Sequence, residues 1–417
     1  MHPHTFKRVQ IIFALFLFAT TLSATTLPPE IQTTLQTQHL AQSKQWQRLL
    51  HYKDGKSEID DPMFFFSTRG KTDLESELYA SINALIQDKS DDENSTLCRY
   101  PSRSHWLLEQ IPTLHEHIHV PQCTKLNEEL ANLDAKQVTL ILASAHINSP
   151  ASAFGHTFFR IDSDVETPLI SYAVNYAAQT HEDNGFIYAY QGLFGGYQGR
   201  YSMQSYAKKI KEYSDLEQRD IWEYPLDLTP TEIQKMLLHI FEIGHFYADY
   251  FFLGENCSYN LLWLIEVAKE DVVLTDKFTI KAIPIDTVRE VVENNLVKET
   301  IYRPSKRKKM VQLTNEIKDL DNAMAFAKSE EYDLSQIDHL TQEQKAYTLE
   351  LATQQLQTRH SHGDITKTQY LTQFLRLLKE RSKLGKVDTL PIPEPIAPRH
   401  GHASTKATLG YQSDETL

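Results

Sequence analysis

The hydrophobic pattern of this chain changes twice, and these changes limit the folds that it can adopt. Residues 28–135 carry apolar side chains mostly at helical spacing, as in 74–86. From 136 to about 227 the spacing is that of short strands, and from Thr229 onward it is helical again. Strands confined to one stretch between two helical regions predict an α+β fold.

The elements next to the candidate chemistry have clear local signals. Strands are predicted at Val138 to Leu142, Gly155 to Ile161 and Pro168 to Tyr176. Thr229, Pro230 and Glu232 form a capping-box pattern that predicts a helix running to about Phe252. Asn256 is then the expected N-cap of a second helix that begins with Cys257.

These patterns divide the chain into regions. We expect a signal peptide at 1–24, a helical N-terminal region at 25–135, a catalytic core at 136–304, a helical bundle at 305–389 and a linker with a truncated tail at 390–417. Lys7 and Arg8 precede a short apolar run, and the small residues Ser23 and Ala24 follow it. The run is too short to span a bilayer, so a cleaved signal and export to the periplasm are predicted.

Composition excludes some classes of function. The formal net charge is −13, and removal of Lys7 and Arg8 with the signal gives about −15. Binding of nucleic acid through the overall field is therefore not expected. No His-Glu-x-x-His, paired Cys-x-x-Cys or nucleotide-binding glycine motif occurs, so no metal and no cofactor are predicted.

The three cysteines point to one disulfide and one nucleophile. In an oxidising compartment Cys98 and Cys123 are expected to pair, which leaves Cys257 free. A thiol at a helix N-terminus is more easily ionised because the helix dipole stabilises its anion. The alternative is a buried cysteine acting as a small hydrophobe, although its neighbours Glu255 and Ser258 are polar.

A cysteine nucleophile needs a base and a group that orients the base. His156, beside a glycine at the start of a predicted strand, is the candidate base. Asn175 on the following strand is the candidate orienting residue, or alternatively it only satisfies a strand end. The backbone amide of Cys257 is a candidate oxyanion donor. His146, in the loop after the first strand, is predicted to lie on the substrate side.

The segment 191–201 joins four glycines to large apolar side chains. We interpret it as a lid or wall for an apolar acyl substrate, with a surface hairpin of packed aromatics as the alternative. The predicted substrate-binding residues are Phe194, Tyr197 and Tyr201, together with His146 and Asn256. The basic run 306–309 is either a contact for anionic lipid head groups or a solvated helix face.

Several separate motifs resemble those of the Lnb N-terminal periplasmic domain family. They are Asp61 to Phe65, Cys98 to Pro101, Gly155 to Phe158, Ser171 to Tyr176, Arg219 to Tyr224 and Asn256 to Ser258. The resemblance extends from about Asp60 to Pro304. It implies a circularly permuted papain-like (NlpC-type) core with an antiparallel sheet, in which the histidine strand precedes the cysteine helix.

The resemblance also implies an activity. A named member of the family transfers a fatty acyl chain from phospholipid to the N-terminus of a lipoprotein, so phospholipid and lipoprotein at the membrane surface are the expected partners. Cys257 would be the acylated nucleophile and His156 its base, with Asn175 as the third residue. Two alternatives stay open: a thiol hydrolase of the cell envelope acting as amidase, peptidase or esterase, and a non-catalytic envelope binding protein.

Overall fold

The computed structural model describes residues 27–145, 154–165, 167–182, 184–387 and 390–405, without the side chains of 214–216. Its helices are α1 (Pro29–Gln38), α2 (Lys44–Leu49), α3 (Leu74–Gln87), α4 (Thr96–Arg99), α5 (Pro101–Gln110), α6 (Thr124–Leu133), α7 (Gly185–Phe194), α8 (Tyr206–Ile210), α9 (Pro230–Ile243), α10 (Cys257–Ala268), α11 (Pro284–Glu293), α12 (Lys306–Glu316), α13 (Leu320–Lys328), α14 (Gln342–His362) and α15 (Lys367–Lys383). A π-helical turn, Lys211–Leu216, follows α8 directly.

The strands are β1 (Tyr52–Lys53), β2 (Lys56–Ser57), β3 (Gln137–Ala143), β4 (His156–Asp162), β5 (Tyr172–Ala178), β6 (Tyr197–Ser205), β7 (Ile221–Pro225), β8 (Ala248–Tyr250) and β9 (Ile301–Arg303). β1 and β2 form a small hairpin, and the others form one sheet in the order β8-β6-β5-β4-β3-β7-β9. Every pair in this sheet is antiparallel. The predicted α+β fold is therefore confirmed.

Both faces of the sheet are buried, as strand alternation requires. One face, which includes Leu140, Phe159 and Val174, belongs to the main core with residues of α9, α10 and the N-terminal helices. The opposite face, which includes Phe158, packs against Tyr213 of the π-helical turn. The sheet thus has α10 on one side and the π-helical turn on the other.

Most predicted elements are present, with two corrections. The three predicted strands correspond to β3, β4 and β5, but β5 begins only at Tyr172 because Pro168–Ile170 forms a 3₁₀ turn. The predicted capping box of α9 is confirmed. The helix ends at Ile243 rather than near Phe252, because residues 248–250 form β8 and pair with β6 at the sheet edge.

A buried ion-pair triad connects the N-terminal helices to the sheet domain. The guanidinium of Arg103 on α5 contacts Glu77 Oε1 on α3 at 3.0 Å and Glu242 Oε1 on α9 at 2.6 Å. Glu242 also accepts hydrogen bonds from the backbone amides of Ser102 and Arg103. All three charged side chains are fully enclosed, so their mutual pairing is what allows them to be buried.

The predicted disulfide between Cys98 and Cys123 is present, and Cys257 is the free cysteine among the described residues. The disulfide links α4 to the start of α6. Both elements precede the sheet, so the bond fixes the helical region that leads into β3.

The C-terminal helices α12 to α15 have a core of their own, built around Phe326, Leu351 and Leu377. In the segment after them, predicted to be a linker, residues 398–404 pack against α11. There Arg289 donates hydrogen bonds to the carbonyl oxygens of Arg399 and Pro398. The rest of the predicted tail, 406–417, and the predicted signal peptide, 1–24, lie outside the described residues.

Among the helices that the structure describes, none is both long enough and apolar enough to cross a membrane.

Candidate active site

Cys257 is the first residue of α10, and Asn256 holds that helix start in place. The Asn256 Oδ1 atom accepts hydrogen bonds from the backbone amides of Ser258 at 3.0 Å and Tyr259 at 3.2 Å. Its Nδ2 atom donates to the carbonyl oxygens of Phe252 and Ala282. The cap is as predicted, but its side chain is fully engaged in the fold and is not free for substrate, which corrects the substrate-binding prediction for Asn256.

The strands β4 and β5 separate near His156, at the part of the sheet that contacts Cys257. Phe159 pairs with Val174 and Ile161 pairs with Tyr172. Between Phe159 and His156, the described residues of β4 form no pair with β5. The imidazole instead bridges the gap, because His156 Nε2 lies 2.6 Å from Asn175 Oδ1. A carboxamide oxygen only accepts, so Nε2 carries the proton and Nδ1 is left for the thiol.

The thiol and imidazole contact each other and shift each other's protonation. Burial acts to raise the pKa of Cys257, but the charge of His156 and a hydrogen bond with it outweigh this and lower the thiol pKa to about 7. Burial acts to lower the pKa of His156, and the charge and hydrogen bond of Cys257 raise it overall. The pair therefore favours thiolate and imidazolium, the state that a cysteine nucleophile requires.

Two further donors surround the sulfur. The backbone amide of Thr157 on β4 and the hydroxyl of Tyr250 on β8 both hydrogen-bond to it and lower the Cys257 pKa. The same hydroxyl accepts a hydrogen bond from the Cys257 backbone amide at 3.2 Å. That amide, predicted as an oxyanion donor, is thus already engaged by Tyr250.

Sequence analysis missed Tyr250 and the Thr157 amide. Tyr250 lies only seven residues before Cys257, but its position depends on β8 pairing with the edge strand β6. The Thr157 amide faces the sulfur from the part of β4 where no pairing with β5 occurs. No residue type in the sequence indicates either contact, because both contacts depend on how strands that are distant in sequence pair in the sheet.

Comparison with known protein families assigns this part of the chain. Residues 126–294, which carry the cysteine, the histidine, the asparagine and the tyrosine just described, match the Lnb N-terminal periplasmic domain. Residues 126–294 belong to this Lnb domain family. The match supports a periplasmic protein of the cell envelope.

The regions on either side of the Lnb domain match two other families. Residues 38–110 match DUF7843 and residues 300–393 match DUF7842, both described as domains of unknown function. Searches of curated proteins and of solved structures found no match.

The segment 191–201 of the Lnb domain is not a glycine-rich lid. It comprises the end of α7 and the start of β6. A Cβ atom added at Gly192 or Gly195 would lie 2.2 Å from the ring of Phe252 or 2.4 Å from that of Phe251. These glycines therefore allow α7 to pack closely on the segment that leads to Cys257.

The three aromatic residues predicted to contact substrate have different positions. Tyr197 and Tyr201 are buried in β6, and Tyr201 donates a hydrogen bond to the carbonyl oxygen of Asn260 on α10. They form part of the core, which corrects their substrate-binding prediction. Phe194 on α7 is 68% exposed, and its ring lies 4.8 Å from that of Tyr190, which is 58% exposed.

Among the described residues, His156 is the histidine whose charge and hydrogen bond act on Cys257. His239 is buried on α9, and its Nε2 lies 2.9 Å from Nε2 of the buried His51. His146, predicted on the substrate side, lies outside the described residues. Within the described ranges, no three metal-ligating side chains are arranged to hold an ion.

Proposed function

We propose that this protein is a periplasmic cysteine acyltransferase that moves a fatty acyl chain from a phospholipid to the amino terminus of a lipoprotein. The observation that carries the proposal is the contact between the Cys257 thiol and the His156 imidazole, with Asn175 on the far ring nitrogen. A thiol pKa of about 7 leaves about half of the sulfur ionised at neutral pH. The permuted papain-like core belongs to this proposal.

The first half-reaction forms a thioester. The Cys257 thiolate attacks the carbonyl carbon of a fatty acyl ester, and the carbonyl oxygen takes the negative charge of the tetrahedral intermediate. The intermediate collapses by breaking the bond between that carbon and the glycerol oxygen. His156, which holds the former thiol proton, gives it to the departing alkoxide, so the products are a lysophospholipid and acylated Cys257.

The second half-reaction transfers the chain. The amine of a lipoprotein N-terminus attacks the thioester carbon, and neutral His156 accepts the proton that the amine loses. The carbon–sulfur bond then breaks and the Cys257 thiolate is restored. Asn175 keeps the imidazole in the tautomer that both steps need, because its oxygen holds the proton on Nε2.

The surface next to the site supports a lipid substrate. α7 contains no charged residue, and five of its large apolar side chains are at least 45% exposed: Phe186, Ile187, Tyr190, Leu193 and Phe194. Exposed apolar groups on one short helix are typical of a surface that meets lipid or another apolar partner. Because α7 packs on Phe251 and Phe252, this surface lies next to the segment that leads to Cys257.

The test is the intact mass of the purified protein after incubation with phospholipid vesicles. We expect a mass increase of one fatty acyl group for the wild type and none for Cys257→Ser or His156→Ala. Addition of a lipopeptide with a free amino terminus should remove the adduct and give acylated lipopeptide. An absence of any adduct on the wild type would refute the proposal, and free fatty acid with unmodified lipopeptide would identify the hydrolase instead.

A further inference from the structure

A large cavity lies between the C-terminal helices and the sheet domain. It has a volume of about 1080 Å³ and is lined mainly by residues of α12 and α14, with contributions from α13 and α15. From the sheet domain, Lys211 of the π-helical turn and Gln218 just after it complete the wall. None of these residues belongs to the catalytic group.

The charge of this cavity is opposite to that of the chain. Lys211, Lys306 and Arg307 line it, and no aspartate or glutamate is among its described lining residues, although the chain carries a net charge of −13. Lys306 donates a hydrogen bond to Gln357, another lining residue. No carboxylate among the described side chains forms an ion pair with Arg307. Such a set of cations is suited to an anion, and to phosphate in particular.

The basic run 306–309 is thereby divided between two roles. Lys306 and Arg307 face the cavity, whereas Lys308 pairs with Asp220 at 2.7 Å. Lys309 is exposed and does not line the cavity. Arg307 lines the cavity but is also exposed to solvent, as Lys309 is. The two residues therefore differ in whether they line the cavity and not in their exposure.

The rest of the cavity wall is partly apolar. Met310, Met324 and Leu351 contribute aliphatic surface, and Tyr370 stacks on the ring of His360 at 4.6 Å. The His360 Nδ1 atom is buried without a hydrogen-bond partner among the described residues, so it is available to a ligand oxygen. Cations beside apolar surface fit a ligand that has an anionic group and a hydrocarbon part.

The cavity lies on the face of the sheet that carries His156. Lys211 begins the π-helical turn whose Tyr213 ring lies 5.5 Å from the His156 ring, tilted by 31°. A second cavity of about 460 Å³ shares Arg307 and Gln218 with the first and reaches Ser144, which follows β3 at the point where Ala143 pairs with His156.

We propose that this cavity binds the phosphate group of an amphiphilic phosphate ester, with Lys211, Lys306 and Arg307 holding the phosphate and the methionine and tyrosine side chains contacting the hydrocarbon. The identification of the amphiphile as a phospholipid rests on the proposed function. The phosphate site itself is independent of chemistry at the cysteine.

The test is calorimetric titration of the full chain carrying Cys257→Ser, so that binding is measured without turnover. The probes are dihexanoyl phosphatidylglycerol below its micelle concentration and inorganic phosphate. We expect the lipid to bind more tightly than inorganic phosphate by about tenfold, since only the lipid also buries hydrocarbon. Arg307→Gln should weaken lipid binding about fivefold, and Lys309→Gln on the same helix should change it less than about twofold.

The outcomes separate the parts of the inference. Equal loss of affinity in Arg307→Gln and Lys309→Gln would overturn the site, because it would indicate attraction to net charge alone. Equal affinity for inorganic phosphate and the lipid would overturn the assignment to an amphiphile. Binding as expected, combined with no acyl adduct on the wild type, would refute the proposed function and leave the phosphate site standing.

Discussion

Replacing Tyr250 by phenylalanine tests how the fold favours ionisation of the Cys257 thiol. The substitution removes the hydroxyl that donates to the Cys257 sulfur and keeps the ring, which stacks on Tyr176 at 5.6 Å. A hydrogen bond to a charged group contributes about 1.5–3 kcal/mol. Since one pKa unit corresponds to about 1.36 kcal/mol, the thiol pKa should rise by about 1–2 units from its value of about 7.

The consequence for activity follows from the thiolate fraction. At pH 7 a thiol whose pKa has risen by that amount is ionised to only about 1–10%, compared with about half in the wild type. Thioester formation at neutral pH should therefore slow by about tenfold, and raising the pH should restore much of the rate. The loss of the acceptor for the Cys257 amide adds a smaller penalty that does not depend on pH.

The assay is a pH titration of the ultraviolet absorbance of the thiolate, with Cys257→Ser subtracted as the blank. Absorbance suits this site because the thiol is only 4% exposed, which limits its access to alkylating reagents. Tyr176→Phe is the matched control: its hydroxyl has no hydrogen-bond partner among the described residues, so its removal should leave the thiol pKa unchanged. An unshifted pKa in Tyr250→Phe, or the same shift in both variants, would refute the reasoning.

Three further changes have defined outcomes. Asn175→Ala should slow acyl-adduct formation by about tenfold or more because it frees the imidazole; an unchanged rate would exclude the orienting role. His51 and His239 are buried and neutral, and burial lowers the pKa of His51 to about 3 and that of His239 well below its usual value. Stability should therefore fall once the pH drops below about 6.5, the pKa in the unfolded chain, by about 1.4 kcal/mol per histidine and pH unit. Urea unfolding at several pH values measures this, and a double variant His51→Phe, His239→Leu that keeps the same slope would contradict it. Glu242→Gln should destabilise the fold by about 3 kcal/mol because Arg103 loses a buried charge partner; a loss below about 1 kcal/mol in urea unfolding would show that the remaining contacts suffice.

Local signals were enough to predict α10, its cap and the three central strands. Asn256 before Cys257 and the alternation through His156 depend only on neighbouring residues, so they can be inferred from short segments. The pairing of His156 with Asn175 was within reach for the same reason, since both lie on consecutive strands.

Other parts of the site depend on distant segments. The composition of 191–201 suits both a lid and a helix followed by a strand, and only the pairing of β6 with β5 and β8 decides that Tyr197 and Tyr201 are buried. Tyr250 was missed because the helix signal of α9 does not show where it ends. The Gly244 cap and the edge pairing of β8 place that end, and neither follows from hydrophobic periodicity.

The burial of the Cys257 sulfur affects whether an amine or water would accept the acyl chain in the proposed reaction. Cys257 is almost fully enclosed, yet its pKa is lowered, because His156, Tyr250 and the Thr157 amide together supply the stabilisation that water would otherwise give to the thiolate. A thioester formed there is sheltered from bulk water by the same enclosure. An amine that is held beside the site by its own lipid then has the advantage of proximity over water, and the exposed apolar surface of α7 offers such a lipid a place to bind. The enclosure thus supports the proposed transfer over hydrolysis, because the pair of Cys257 and His156 alone would suit either of the proposed reactions.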